Sequence, residues 1–255
     1  MIKAENLQIE YKKLLFTGVN FILGNKERVG LVGLNGCGKT SLMKILAGLE
    51  DPDKGHVSLT KEEKIGYLPQ ELDLSFEKLT FVGEFLESLV ANHYTDMWKV
   101  DRLLAKLELD VDEFDEVKTL SPGQKMKLYL AKVLIKEPTV LLIDEPTNHL
   151  DINGIIWLEG FLKDFDGIII MISHDRMFLN SLTNKIFEID EQTLRIWDGN
   201  YDKFLEAKDY YIEERARLFK AQEKKREQLE KLLENSRKLK DAKQRGKAVR
   251  AAKQE

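Results

Sequence analysis

The 255-residue sequence predicts an α/β protein, a parallel sheet core with an antiparallel layer and a helical insertion, followed by a long charged helix. Three observations predict it. Short runs rich in Val, Ile and Leu are apolar throughout, as in strands buried on both faces of a parallel sheet. Each such run is followed by a segment with helical periodicity, the order of βα units. Beyond residue 200 the chain turns highly charged and lacks Pro and Gly until Gly246.

Taken in order, residues 1–27 and 56–68 alternate apolar and polar, as antiparallel strands do. Val29–Val32 is a buried strand leading to a helix over Thr40–Ala47. From about Leu72 to Lys118 strand signals stop, and acidic amphipathic segments, Phe81–Val90 and Met97–Leu109, predict a helical subdomain reaching about residue 137. Its last helix opens at Leu120-Ser121-Pro122-Gly123-Gln124 and continues through Ala131 to Lys136. Two further strand and helix pairs follow, Val140–Ile143 with Ile152–Phe165, and Gly167–Ile172 with Arg176–Ser181. Asp198-Gly199-Asn200 is a turn signal, which places the boundary between a domain over 1–200 and a helical extension over 201–255. Phe204, Tyr211, Leu218, Lys225, Leu232 and Leu239 lie seven apart, but Lys225 breaks the seam, which favours a long two-stranded hairpin over a parallel coiled coil. Gly246 reads as the break where a returning helix would start, so the extension is expected to be a truncated linker.

Composition narrows the setting. From Lys203 onward there are 17 basic and 10 acidic residues, a net of +7, whereas residues 1–202 carry −11. The single cysteine, Cys37, makes an intrachain disulfide impossible. The start of the chain has no charged segment leading into an apolar one, and the longest apolar runs, such as Ile168–Ile172, are strand-length. Secretion and membrane spanning are therefore not expected, and the protein reads as cytoplasmic.

Gly33-Leu34-Asn35-Gly36-Cys37-Gly38-Lys39-Thr40-Ser41 matches G-x-x-x-x-G-K-[ST] between a strand pattern and a helical one, the context this motif requires. Glycines let backbone N–H groups turn inward around a phosphate, the helix N-terminus adds its positive end, Lys39 neutralises charge, and the Thr40 hydroxyl is a Mg²⁺ ligand. Val140–Ile143 delivers Asp144 and Glu145 to a strand's carboxyl end, where open α/β sheets bind ligands. Asp144 is the expected metal partner and Glu145 the group that orients an attacking water. Ser121 and Gln124 form a capping box, with Pro122 where a missing N–H costs nothing. That helix start is also a second anion site, and the economical occupant is a nucleotide held by another domain.

Leu120–Gln124 resembles the LSGGQ signature of ABC ATPases, with Pro122 in place of the first glycine. Tyr67-Leu68-Pro69-Gln70 is similar to the family's Q-loop, Leu150-Asp151 to its D-loop, and Ser173-His174-Asp175 to its switch-histidine loop. The motifs fall in the family's order across residues 1–202. The resemblance implies ATP and Mg²⁺ as ligands, Tyr11 stacking on adenine, Gln70 sensing metal and water, and His174 bonding the γ-phosphate. It also implies that Ser121, Gly123 and Gln124, with Asp151, face ATP held by a second ABC domain in a head-to-tail sandwich. Pro122 removes one backbone donor from that signature.

Asp144-Glu145-Pro146-Thr147-Asn148-His149-Leu150-Asp151 resembles the corresponding string of ABC-F proteins, as do Ile170–Leu179, Gly199-Asn200-Tyr201 and Ala242–Ala248. ABC-F resemblance implies two ABC domains joined by a helical linker, binding at the ribosomal tRNA exit site, and a role in translation or antibiotic resistance. Eight basic and two acidic residues from Ser236 onward suit contact with RNA phosphates. One ABC domain with part of a linker, and a short helical insertion, depart from the family pattern, so the chain reads as an N-terminal piece. The alternatives are a transporter motor subunit and an ATP-gated nucleic-acid-binding protein outside translation.

Overall fold

The computed structural model of the chain describes residues 1–71, 81–90 and 93–251. It divides into two units, Met1–Phe204 and Leu205–Glu255. In the first unit, β1 (Ile2–Glu10) and β2 (Leu14–Leu23) pair antiparallel, and β3 (Arg28–Gly33) leads into α1 (Lys39–Leu46). β4 (Lys54–Leu59) returns to the other edge of β1, closing a three-stranded antiparallel sheet ordered β2-β1-β4. β5 (Ile65–Leu68) precedes the helices α2 (Val82–Ser88), α3 (His93–Lys106) and α4 (Pro122–Leu134). Then come β6 (Val140–Asp144), α5 (Ile152–Asp164), β7 (Ile168–Ile172), α6 (Arg176–Leu182), β8 (Lys185–Asp190) and β9 (Thr193–Asp198). The second sheet is ordered β5-β6-β7-β3-β8-β9, parallel except for the final β8–β9 hairpin.

Every residue of β6 and β7 is buried, as their unbroken apolar composition requires. Alternate side chains feed different cores. Val140, Leu142, Ile168 and Ile170 pack with α1 and the antiparallel sheet, while Leu141, Ile143, Ile169 and Met171 pack with the helical layer of α4 and α5. At about 1.5–3 kcal/mol per buried aliphatic side chain, this double burial pins the strand that carries Asp144 at its end.

Two expectations need correction. Residues 56–68 do not form one antiparallel layer: Ile65–Leu68 pairs parallel with β6. β5 is an edge strand of the parallel sheet and is buried only at alternate positions, so it mimics an antiparallel strand in sequence. The break expected at Gly246 is absent, because α7 (Tyr201–Ala251) runs through it. One helical glycine costs about 1 kcal/mol relative to alanine, too little to end a helix by itself. The β8–β9 hairpin had no turn signal in the sequence, since Glu191 and Gln192 fill its corner with positive φ values of 48° and 63° without a glycine or asparagine.

The helical segments appear where expected. Residues 72–80, at the start of the predicted subdomain, lie outside the described residues, as do residues 252–255 and the side chains of the basic segment Arg237–Lys253. Phe204, the first position of the partial heptad, is buried against Trp197 and Tyr201, whereas Leu218 and Leu232 are exposed. Among the described residues, no helix is long and apolar enough to cross a membrane.

Candidate functional site

The carboxyl ends of four neighbouring parallel strands set the site. In spatial order, β5 ends near Gln70, β6 carries Asp144 and Glu145, β7 precedes His174, and β3 runs into the glycine loop. A cavity of about 520 Å³ opens above them and is lined by Tyr11, Asn35, Gly36, Gly38, Lys39, Thr40, Ser41, Gln70, Asp144, Glu145 and His174. Leu15 and Ile172 complete the lining. Ser121, Gly123, Gln124 and Asp151 lie outside it. Gly33 and Cys37 belong to the loop but do not line the cavity.

Two of the loop glycines are required by space. A Cβ on Gly33, at φ +152°, would sit 2.6 Å from the Ile189 carbonyl oxygen and 2.7 Å from Cys37 Sγ. On Gly38, at φ +105°, it would press on the Phe16 ring at 3.0 Å. Gly38 caps α1 without a side-chain hydrogen bond, and no acidic residue occupies the helix's first turn. The α1 N-terminus thus offers backbone donors and a positive field to an anion. Lys39 Nζ donates to the carbonyls of Gly33 at 2.9 Å and Leu34 at 3.3 Å, which holds the ammonium over the loop.

Beneath the loop, the Thr40 hydroxyl donates to Asp144 Oδ2 at 2.9 Å. Asp144 is 1% exposed, and its other oxygen, Oδ1, is buried without a hydrogen-bond partner. Burial pushes this carboxyl up from the ordinary aspartate range, against the opposing pull of the Thr40 hydrogen bond and the Lys39 charge. A buried carboxylate oxygen left unmade is costly, and a hard cation shared with the Thr40 hydroxyl would satisfy it. The donor set is oxygen-only, which suits Mg²⁺.

Glu145 adopts the left-handed conformation at φ 51°, ψ 51°, and its side chain is buried. One carboxylate oxygen accepts the His174 backbone N–H at 3.2 Å, and the other lies 3.3 Å from His174 Nε2. Burial raises its pKa, with the neighbouring imidazole pulling the other way. The His174 ring is largely exposed, so it can reach a ligand while Glu145 anchors its base. Tyr11, more than half exposed, lines the cavity, and its hydroxyl donates to Glu50 and lies 3.4 Å from Ser41 Oγ. That bond to Glu50 raises the phenol's pKa.

At α4 the capping box is present: Ser121 Oγ accepts from Gln124 N at 3.2 Å, and Gln124 Oε1 accepts from Ser121 N at 3.0 Å. Asp151 caps α5 by accepting from Gly154 N at 2.8 Å. Sequence reasoning missed Leu15, Ile172 and Glu50. The first two carry only the apolar character of their strands, and nothing around Glu50 hints that the chain brings it to Tyr11.

A family model described as ABC transporter matches residues 16–148, and a second with the same description matches residues 187–254. The chain is 35% identical to the uncharacterized ABC transporter ATP-binding protein YfmR of Bacillus subtilis, over 82% of this chain and 39% of that protein. It is 32% identical to the energy-dependent translational throttle protein EttA of Escherichia coli K12, over 74% of this chain and 41% of EttA. It is also 32% identical to ABC transporter F family member 5 of Arabidopsis thaliana, over 88% and 39%. The chain thus spans about two fifths of the length of these relatives. Among solved structures, an ATP-binding subunit of an ABC transporter superposes with a TM-score of 0.67 at 22% identity, covering 78% of this chain and 90% of that one. A dimeric ATP-binding cassette bound to ADP and Pi gives 0.64 at 21% identity, covering 78% and 98%. These two likenesses are of fold. With the family model spanning more than half of its residues, the chain belongs to the ABC transporter family and carries that family's ATPase fold.

Proposed function

We propose that the chain binds ATP in the β3–α1 cavity and hydrolyses it when a second ABC domain closes over the nucleotide. The observation that carries this is the convergence, in one cavity, of an anion-binding loop, an unpartnered buried Asp144 oxygen and the Glu145–His174 pair. Tyr11 stacks on the base, loop N–H groups and Lys39 hold the phosphates, and Glu145 orients a water and accepts its proton as the water attacks the γ-phosphorus, whose bond to the bridging β-phosphate oxygen breaks to release ADP and phosphate. His174 donates to a γ-phosphate oxygen, and Gln70 faces the same water. Thr40, Asp144 and Gln70 are the residues that would hold Mg²⁺, whose charge would neutralise the phosphate oxygens. Ser121, Gly123 and Gln124, with Asp151, face the partner domain's ATP. A monomer of this unit holds half of each sandwich, and its turnover is therefore slow. Binding that survives Lys39→Ala would refute the assignment of the loop.

Within the family, we favour an ABC-F protein acting on the ribosome, in translation or antibiotic resistance. Support comes from the Asp144–Asp151 string, the relatives named EttA and ABC transporter F family member 5, and the basic residues from Arg237 onward. Those cations would contact ribosomal or transfer RNA phosphates. The deciding experiment is ribosome co-sedimentation of the protein carrying Glu145→Gln, with ATP and with ADP. Retention with ATP alone is expected, and equal recovery with both nucleotides refutes nucleotide-gated binding.

A further inference from the structure

Glu145 is held in a backbone conformation that non-glycine residues seldom adopt, and the turn it opens has to be fixed by its surroundings. Its own N–H donates to the Ile172 carbonyl at 2.9 Å, which ties it to the end of β7. The next turn, a short 3-10 segment over Pro146–His149, continues to Leu150, whose N–H donates to the Thr147 carbonyl at 3.3 Å. From this turn the Thr147 hydroxyl reaches across to Ser173, with 3.2 Å between the two oxygens. Ser173 is buried, and its hydroxyl also accepts the Asp175 N–H at 3.0 Å. Asp175 in turn caps α6, accepting from the N–H groups of Met177 and Phe178.

His174 is thus bracketed. On one side its backbone N–H is bound by Glu145, and on both flanks the chain is fixed through Ser173 and Asp175. The Ser173 hydroxyl has two partners, one on its own loop and one on the turn after β6. It is therefore a junction between the segment that carries Glu145 and the segment that carries His174.

We propose that Thr147 and Ser173 are positioning residues, whose paired hydroxyls hold the turn after β6 in register with the His174 loop and so keep the Glu145 carboxylate facing His174. This rests on the hydrolytic role given to Glu145 and His174 above. Neither hydroxyl touches the nucleotide cavity, so both act through the pair they align.

The test uses the whole 255-residue chain with Thr147→Val, which exchanges the hydroxyl for a methyl at nearly constant volume, Ser173→Ala, the double variant and the conservative Thr147→Ser. ATP affinity, single-turnover hydrolysis and amide hydrogen exchange are measured on each. Thr147→Val and Ser173→Ala should each slow hydrolysis by about tenfold while ATP affinity stays within about twofold, and Thr147→Ser should recover the rate. The double variant should be no slower than the slower single one, because both remove one link. Exchange at the His174 and Asp175 amides should accelerate in Thr147→Val, although that substitution alters neither amide's own partner.

Unchanged exchange at both amides in Thr147→Val would overturn the link, and so would rate losses that multiply in the double variant. A fall in affinity matching the fall in rate would reduce both residues to general structure and overturn the positioning role. If the unsubstituted chain binds ATP but does not hydrolyse it even at concentrations where two copies associate, the hydrolytic assignment fails. The exchange measurement still decides whether the hydroxyls couple the two segments.

Discussion

Asp144→Asn isolates what the unpartnered oxygen beneath the glycine loop does. Asparagine keeps an acceptor for the Thr40 hydroxyl and the volume of the side chain, but replaces the buried anion by a neutral amide. A buried polar atom without a partner costs about 1–3 kcal/mol and more when it is charged, and the amide that replaces the carboxylate also lacks a partner, so the variant recovers only the extra cost of the charge, about 1 kcal/mol. For a unit of this size that raises the unfolding midpoint by about 2–4 °C. The sign of the pH dependence follows. Asp144 has a raised pKa when folded, so its cost appears as the pH rises through that value. The advantage of the variant should therefore vanish in acid, where both side chains are neutral, and grow as the pH rises.

Ligand reverses the order. With Mg·ATP at a hundred times its dissociation constant the parent chain gains about 2.7 kcal/mol, and a tenfold loss of affinity in Asp144→Asn cuts that to about 1.4 kcal/mol. The assay is thermal unfolding with ATP, with and without Mg²⁺, at pH 5 and pH 7. An equal Mg²⁺-dependent increment in parent and variant would show that Asp144 does not hold the cation. A ligand-free variant melting several degrees below the parent would show that the lone oxygen carries no cost.

Glu145→Gln should leave ATP affinity within about threefold while slowing hydrolysis by 10²–10⁴, the usual contribution of a general base, and should favour ATP-dependent self-association. Light scattering that gives one mass with ATP, with ADP and without nucleotide would refute the association. Ser121→Arg should block ATP-driven closure without weakening ATP at the chain's own loop, since it alters a helix start outside that cavity. Own-site affinity falling as far as in Lys39→Ala would refute the assignment of Ser121 to a second nucleotide. Reversing several charges among Arg237, Lys238, Lys240, Lys243, Arg245, Lys247, Arg250 and Lys253 should flatten the salt dependence of RNA binding for diverse sequences alike, because no aromatic residue follows Phe219 to stack on bases. An unchanged salt slope would refute the electrostatic basis.

What the sequence discloses depends on how far its causes lie along the chain. The glycine loop, the β6 strand and the Ser121 capping box are local patterns, each with its chemistry inside nine residues, and each takes the expected form. Partnerships across the fold are silent in sequence. Thr40 and Asp144 are 104 residues apart, Thr147 and Ser173 are 26 apart, and Glu50 meets Tyr11 only because β1, β2 and α1 bring them to one rim. Edge position explains the misread β5, whose half-burial copies the alternation of another sheet type. The β8–β9 corner escaped because Glu191 and Gln192 tolerate a backbone normally advertised by glycine or asparagine. At Gly246 the local signal was real but outweighed by helix propensity on both sides.

Cys37, the one thiol of the chain, is half-buried in the glycine loop, its sulfur packed toward the Gly33 α-carbon and its N–H donated to the Leu34 carbonyl. Burial raises the thiol's pKa, with Lys39 opposing, so little of it is the reactive thiolate at neutral pH. Alkylation at this position is then faster when the loop opens and the proton leaves. The reaction rate becomes a clock for that opening, read from a single atom without labels or competing cysteines. Nucleotide that holds the loop shut should stop the clock, while unfolding should release it.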